Sequence, residues 1–273
     1  MMQYDVLNTL KTVAPLVVHY TNDVTVNDCA NVTLALGASP MMSSCDEEVA
    51  DAVSVAGAVV INIGTMNSSR LSLYLSAGHA ANASGVPVLL DPVGVFATRA
   101  RGVFVEQLLR EVHFDVIKGN AAEISCLAGA VSSGKGVDSA DGDVDDISNS
   151  VAFLAERFGC VVGATGAVDA VSDGSCVVLI SNGSRKLKKI SGTGCMVSSL
   201  VGSYLGLGRE RIDALDATVL GILSMSVAGE LADADDPAIG SYRVQLMNEI
   251  YQLTPEKLRD FGRFEKYHIS SDV

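Results

Sequence analysis

Residues 58–91 read AVVINIGTMNSSRLSLYLSAGHAANASGVPVLLD, and this stretch decides the fold class. Ala58-Val-Val-Ile-Asn-Ile63 and Val86-Pro-Val-Leu-Leu-Asp91 are short apolar runs rich in β-branched residues. Runs of that length and composition are buried strands. Between them, Ser68 to Ser84 carries a helical pattern. Two further strands follow at Phe114 to Lys118 and Cys160 to Thr165. Asp46 to Ala56, Arg99 to Glu111 and Asp145 to Phe158 are the intervening helices. Strands alternating with helices predict a parallel α/β sheet covered on both faces.

After Thr165 the pattern changes. Ala170 to Ser172 and Ser175 to Ile180 flank Asp173-Gly174, a hairpin signal. A small-residue run after Gly192-Thr-Gly194 predicts a buried helix, and Ile212 to Leu253 predicts two or three more. The polar tail after Phe264 is expected to fray. With no internal repeat and no linker, residues 1–273 are expected to form a single domain.

Composition excludes several function classes. The 19 basic and 32 acidic residues give a net charge of −13, which argues against a nucleic-acid partner. Hydrophobic residues make up 48% and charged residues 19%, enough for a sizeable core. Apolar stretches such as Gly57 to Gly64 and Val197 to Gly208 are shorter than the ~20 residues of a membrane span, so no membrane association is expected. Asp5 stands early, and no basic cluster precedes an apolar run, so no signal peptide is expected. None of the six cysteines forms a CxxC pair, and there are four histidines. Neither a zinc site nor a disulfide framework is expected, and free thiols suit a reducing cytoplasm.

Two motifs fail on inspection. Gly129 to Gly136 approaches the phosphate-loop pattern, but Gly136 replaces the magnesium-binding hydroxyl and the segment follows a helix rather than a strand. Gly129 instead reads as the C-cap of the helix from Glu123 to Ala128. The acidic loop from Ser139 to Asp146 lacks the glycine and terminal glutamate of an EF-hand.

Three other places carry chemistry. Asp91 ends one strand, and Asn120 with Glu123 follows another, where open α/β sheets place their ligands. Asn120-Ala-Ala-Glu123 is equally a capping box. Two carboxylates with waters and phosphate oxygens would suit magnesium. Ser191-Gly192-Thr193-Gly194-Cys195-Met196 leads into a helix whose first N–H groups would receive an anion. The same run also reads as a glycine turn into a tightly packed helix. Cys195 on that first turn is the one cysteine in a setting that lowers a thiol pKa.

These residues resemble the hydroxyethylthiazole kinase family of the ribokinase-like superfamily. The matches are Thr21-Asn-Asp23, Leu34 to Pro40 with Met42, Asn62-Ile-Gly-Thr65, Leu90-Asp-Pro-Val93, Gly119 to Glu123, Gly134 to Asp138, Ala164-Thr-Gly166 with Asp169, and Gly192-Thr-Gly-Cys195. They span nearly the whole chain, in the family's order and approximate spacing.

The resemblance implies a ribokinase-like three-layer sandwich with a mostly parallel central sheet and helices on both faces. It implies ATP- and Mg2+-dependent phosphorylation of the hydroxyethyl group of 4-methyl-5-(2-hydroxyethyl)thiazole, in thiamine biosynthesis or salvage. It implies a cytoplasmic homotrimer with thiazole sites between subunits. Asn22, Val24, Met42 and Gly192 would line the thiazole pocket, with Met42 in a loop at the subunit boundary. Asp91 and Glu123 would organise the metal and phosphates. Lys118, Asn120, Glu123, Thr165 and Gly194 would face the nucleotide, Lys118 standing where many members carry arginine. Cys195 would sit beside the substrate hydroxyl as the catalytic base. Two alternatives remain: a related hydroxymethylpyrimidine-type kinase, against which the Leu34 to Met42 segment speaks, and a non-catalytic thiazole- or nucleotide-binding protein.

Overall fold

The computed structural model describes residues 2–129 and 144–269. A single sheet of nine strands runs through them: β1 (Leu16–Tyr20), β2 (Ser39–Met42), β3 (Ala58–Asn62), β4 (Val88–Asp91), β5 (Val116–Asn120), β6 (Val161–Thr165), β7 (Asp169–Ser172), β8 (Cys176–Ile180) and β9 (Phe264–His268). The spatial order is β2-β1-β3-β4-β5-β6-β7-β8-β9. Every pair from β2–β1 to β5–β6 is parallel, and the last three pairs are antiparallel.

Helices cover both faces. Successive residues of a strand point to opposite sides. Along β3, Val59 and Ile61 enter one core while Ala58 and Val60 enter the other. The first core lies under α3 (Val49–Ser54), α4 (Ser68–Ser84), α5 (Arg99–Glu111), α6 (Ala121–Leu127) and α7 (Val144–Phe158). The second lies under α1 (Val6–Val13), α2 (Val26–Leu36), α8 (Thr193–Leu205), α9 (Ala214–Ala232), α10 (Ile239–Tyr251) and α11 (Pro255–Phe261). This is the expected three-layer arrangement. A Cβ on Gly202 would stand 2.6 Å from Val60 Cγ2, so glycine is what lets α8 lie directly on β3.

α9 departs from the expectation about apolar stretches. Among the described residues it is the one helix long and apolar enough to cross a membrane. Yet 78% of its apolar window is buried, and it packs against α8 and α10. A helix apolar on every side is here the core of the second layer.

The hairpin forms as read. Asp173 Oδ1 accepts from the N–H groups of Ser175 and Cys176, and Gly174 takes a φ of +90°. Gly129, just past α6, takes a φ of +81°. Other expectations need correction. The stretch from Asp46 to Ala56 divides into a 3-10 turn (Asp46–Glu48) and the short α3. Met42 is not in a loop: it ends the edge strand β2, paired with His19 of β1. The described part of the tail after Phe264 does not fray. It adds β9 to the sheet, from Phe264 opposite Ile180 to His268 opposite Cys176. Gly134, Lys135 and the acidic residues at 141 and 143 lie outside the described residues.

Candidate active site

Parallel strands present their carboxyl ends on one rim. Register makes Asn62 the neighbour of Asp91, and Asn120 the neighbour of Thr165. The amino terminus of α8 meets this rim, and a continuous set of hydrogen bonds ties the pieces together.

Asp91 stands at its centre, 1% exposed. Its Oδ2 accepts from Asn62 Nδ2 at 2.9 Å and from Ser198 Oγ at 2.6 Å. No donor among the described residues bonds Oδ1. Asn62 Oδ1 in turn accepts from Gly64 N and from Asn22 Nδ2, both at 2.9 Å. Asn22 Nδ2 also approaches Cys195 Sγ at 3.4 Å. Asn22 Oδ1 accepts from Val24 N, Thr25 N and Thr25 Oγ1, which sets the direction of its amide. The path from the Asp91 carboxylate to the Cys195 thiol is therefore two amides long.

The loop carrying Asn22 is fastened from α4. Arg70 donates to Thr21 O, Thr65 Oγ1 and Asp23 Oδ1, at 3.3, 2.9 and 2.6 Å. Thr65 Oγ1 also receives Asp23 N at 3.0 Å. Beside this loop, Gly192 begins α8 with a φ of +88°. A Cβ there would stand 2.4 Å from Thr25 Cγ2, so conformation and space both require glycine.

Lys118, 2% exposed, donates from Nζ to Gly194 O at 2.8 Å. The ammonium thus sits beneath the first turn of α8 and binds its backbone. Glu123 forms the capping box: Oε2 accepts from Asn120 N at 2.7 Å, and Asn120 Oδ1 accepts from Glu123 N at 2.9 Å. Its Oε1 accepts from Gly94 N at 2.8 Å. Thr165 donates to Gly119 O at 3.3 Å.

Burial shapes the charges. It pushes the Asp91 carboxyl up, against the pull of nearby Lys118. It pushes Glu123 up as well, helped by Asp91. Asp169 behind Thr165 is buried too, bonded to Gly166 N and Ser226, and is raised to about 7. The Cys195 thiol is also raised, by burial and then by Asp91. This corrects the expectation for that cysteine: desolvation outweighs the helix terminus, so the resting group is a thiol.

The structure therefore joins Asn22, Asp91, Lys118, Gly192, Gly194 and Cys195 around one helix end, with Asn120, Glu123 and Thr165 further along the rim. Val24 and Met42 take no part in the polar set. Val24 is 69% exposed, and Met42 lies half-buried on the edge strand. The sequence reading missed Ser198, Thr25 and Arg70 as site residues, and it took Asn62 only as part of a motif. A polar residue closing a buried apolar strand was the available signal for Asn62.

The donor set suits a hard divalent cation. Magnesium is commonly held by one or two carboxylates together with water and phosphate oxygens. Asp91 offers one oxygen that no donor among the described residues occupies, with Glu123 beside it, each of whose oxygens accepts one backbone N–H and keeps a lone pair. Among the described residues there is no group of three or more His, Cys, Asp or Glu placed to hold a metal alone. The arrangement fits a cation that arrives with a phosphate ligand.

The family model for the hydroxyethylthiazole kinase family matches residues 7–256. The chain belongs to the hydroxyethylthiazole kinase family. A hydroxyethylthiazole kinase of Clostridioides difficile is 50% identical over 262 residues, covering 96% of this chain and 98% of its own. The solved structure of a hydroxyethylthiazole kinase protein from Pyrococcus horikoshii superposes with a TM-score of 0.88 at 34% identity, covering 97% and 98%. A ribokinase-like superfamily protein from Enterococcus faecalis superposes with a TM-score of 0.60 at 12% identity, covering 95% of each chain. That last likeness is one of fold, and it places this hydroxyethylthiazole kinase family member on the ribokinase-like scaffold.

Proposed function

We propose that this chain transfers the γ-phosphoryl group of ATP to the hydroxyl of 4-methyl-5-(2-hydroxyethyl)thiazole. The observation that carries the reading is the helix end itself: α8 opens at Gly192 with Cys195 on its first turn, and Ser198 on the next turn bonds Asp91. A transferring phosphoryl group needs positioning and charge stabilisation more than covalent help. The free N–H groups of α8 supply donors for it. Gly192 and Gly194 let it come close to the backbone. Lys118 places positive charge under the same turn. Asn120, Glu123 and Thr165 face the nucleotide. Asp91 and Glu123 would hold Mg2+, which supplies charge neutralisation of the phosphates when bound.

On the acceptor side, Asn22, Val24, Met42 and Gly192 line the thiazole pocket. Cys195 faces the hydroxyl, with Asn22 directing an N–H at its sulfur. In the reaction the hydroxyl oxygen bonds to phosphorus, the bond from the γ-phosphorus to the bridging oxygen breaks, and ADP leaves. The hydroxyl proton departs late in a loose transition state and passes to the Cys195 thiolate where that form is populated. Exposed Val24 and edge-strand Met42 support a pocket closed by a second subunit, in a cytoplasmic homotrimer of single-domain chains.

The test is ADP release from purified protein with and without the thiazole alcohol, and with hydroxymethylpyrimidine as competitor. Thiazole-dependent release supports the reading. Release dependent on the pyrimidine alone favours the related kinase, and no release with either alcohol favours a binding protein.

A further inference from the structure

We infer that Ser198 and Asn62 are positioning residues that turn the Asp91 carboxylate so that Oδ1 alone faces the cation. This rests on the reading of Asp91 as a metal ligand, and it assigns work to two residues that touch neither substrate nor metal. A carboxylate has two oxygens and can bind a cation through either or both. Here the choice is made by the protein, because both donors converge on Oδ2.

The direction of each bond follows from its chemistry. Asn62 must turn its Nδ2 to Asp91, since its Oδ1 is held by Gly64 N and Asn22 Nδ2. Ser198 can only donate to a carboxylate. All three side chains are at most 1% exposed, so water does not compete for these bonds.

The two donors come from different elements. Asn62 ends β3 and Ser198 belongs to α8. Ser198 lies three residues after Cys195, one helical turn along the same face. One helix thus aims the metal-binding carboxylate and carries the group beside the acceptor hydroxyl. Partners of this kind orient a metal ligand, and their loss costs roughly 10–100-fold in metal affinity.

The test is titration of the full-length protein with Mn2+ in the presence of saturating ADP, following the enhancement of water-proton relaxation that marks protein-bound Mn2+. Wild type, Asp91→Asn, Ser198→Ala and Asn62→Ser are compared, with thermal melting of each. Ser198→Ala removes one hydroxyl and leaves the packing nearly unchanged. Asn62→Ser repeats the test from the other element. The expected result is abolished binding in Asp91→Asn and affinity weakened about 10-fold in the other two, with every variant still folded at the titration temperature. Binding lost in Asp91→Asn but unchanged in Ser198→Ala and Asn62→Ser would overturn the inference and leave the reading of Asp91 standing. A wild type that binds no Mn2+ with ADP present, or an Asp91→Asn that binds it normally, would overturn both.

Discussion

At Cys195 two effects oppose each other, and burial wins. The first turn of a helix favours a thiolate, but desolvation and the Asp91 charge hold the proton on. A base that is protonated at rest acts only through its thiolate fraction. The rate of the wild type should therefore climb with pH across the neutral and mildly alkaline range. Cys195→Ala should lose that climb and fall below wild type by about 10²-fold at the alkaline end. Cys195→Asp should keep substantial activity at neutral pH, because its carboxylate ionises lower. Steady-state kcat of the three proteins against pH decides this. An alanine variant with the wild-type profile would leave Cys195 as packing.

His19 gives a stability prediction at the same scale. It is fully buried, bonded to Val17 O through Nδ1 and to Ser199 Oγ through Nε2, and burial lowers its pKa to about 4. The unfolded chain takes up this proton near 6.5, so the stabilising contribution is present above that pH. It is lost as pH falls from 6.5 towards 4, on the order of 3 kcal/mol in all. Asp169 works the other way, since a raised carboxyl stabilises at low pH and loses that contribution as pH rises through about 7. His19→Gln keeps a partner for Ser199 and removes the titration. Its unfolding free energy should fall less than that of wild type between pH 6.5 and 4, measured by denaturant melts. Parallel pH profiles would contradict the assignment.

Among the elements, α4 is the one whose influence on the site is least direct and most testable. It carries Arg70, which fastens the Thr21–Asp23 segment through a carbonyl, a hydroxyl and a carboxylate. Arg70→Ala should raise KM for the thiazole alcohol about tenfold, the order expected when a few hydrogen bonds to a charged group are lost, with KM for ATP unchanged. Equal effects on both substrates would contradict a role confined to the Asn22 loop.

The strands β3 to β6 were legible because each is a short apolar run buried on both faces, whereas the interior strand β1 was not read. Asp91 and the glycines around Cys195 were legible because strand ends and helix starts are where ligands bind. β9 was not legible. Its residues after Phe264 are exposed, so no apolar alternation marks them, and their partner β8 lies far back in the chain. Met42 was misplaced for a related reason, since β2 is an edge strand of half-buried residues. Ser198 was hidden among other small residues of α8, where only the packed structure shows which hydroxyl meets a carboxylate.

At the scale of the whole molecule, the acidic surface and the apolar edge pull in different directions. A net charge of −13 favours solubility and opposes unspecific association. Val24 and Met42 nonetheless leave apolar surface beside the site. Light scattering should give a trimer, and Met42→Asp should weaken thiazole binding more than nucleotide binding. A fully active monomer would contradict the interfacial pocket.

The central claim is that one helix end, with Asp91 beneath it, performs phosphoryl transfer to the thiazole alcohol. Phosphorus-31 magnetic resonance of wild type and Asp91→Asn, incubated with ATP, Mg2+ and 4-methyl-5-(2-hydroxyethyl)thiazole, tests it most directly. Wild type should form the phosphate ester in step with ADP. Asp91→Asn, folded by circular dichroism, should form it at least about 10²-fold more slowly. Ester formation at an undiminished rate in the folded Asp91→Asn protein, or ADP without ester in wild type, would contradict the account.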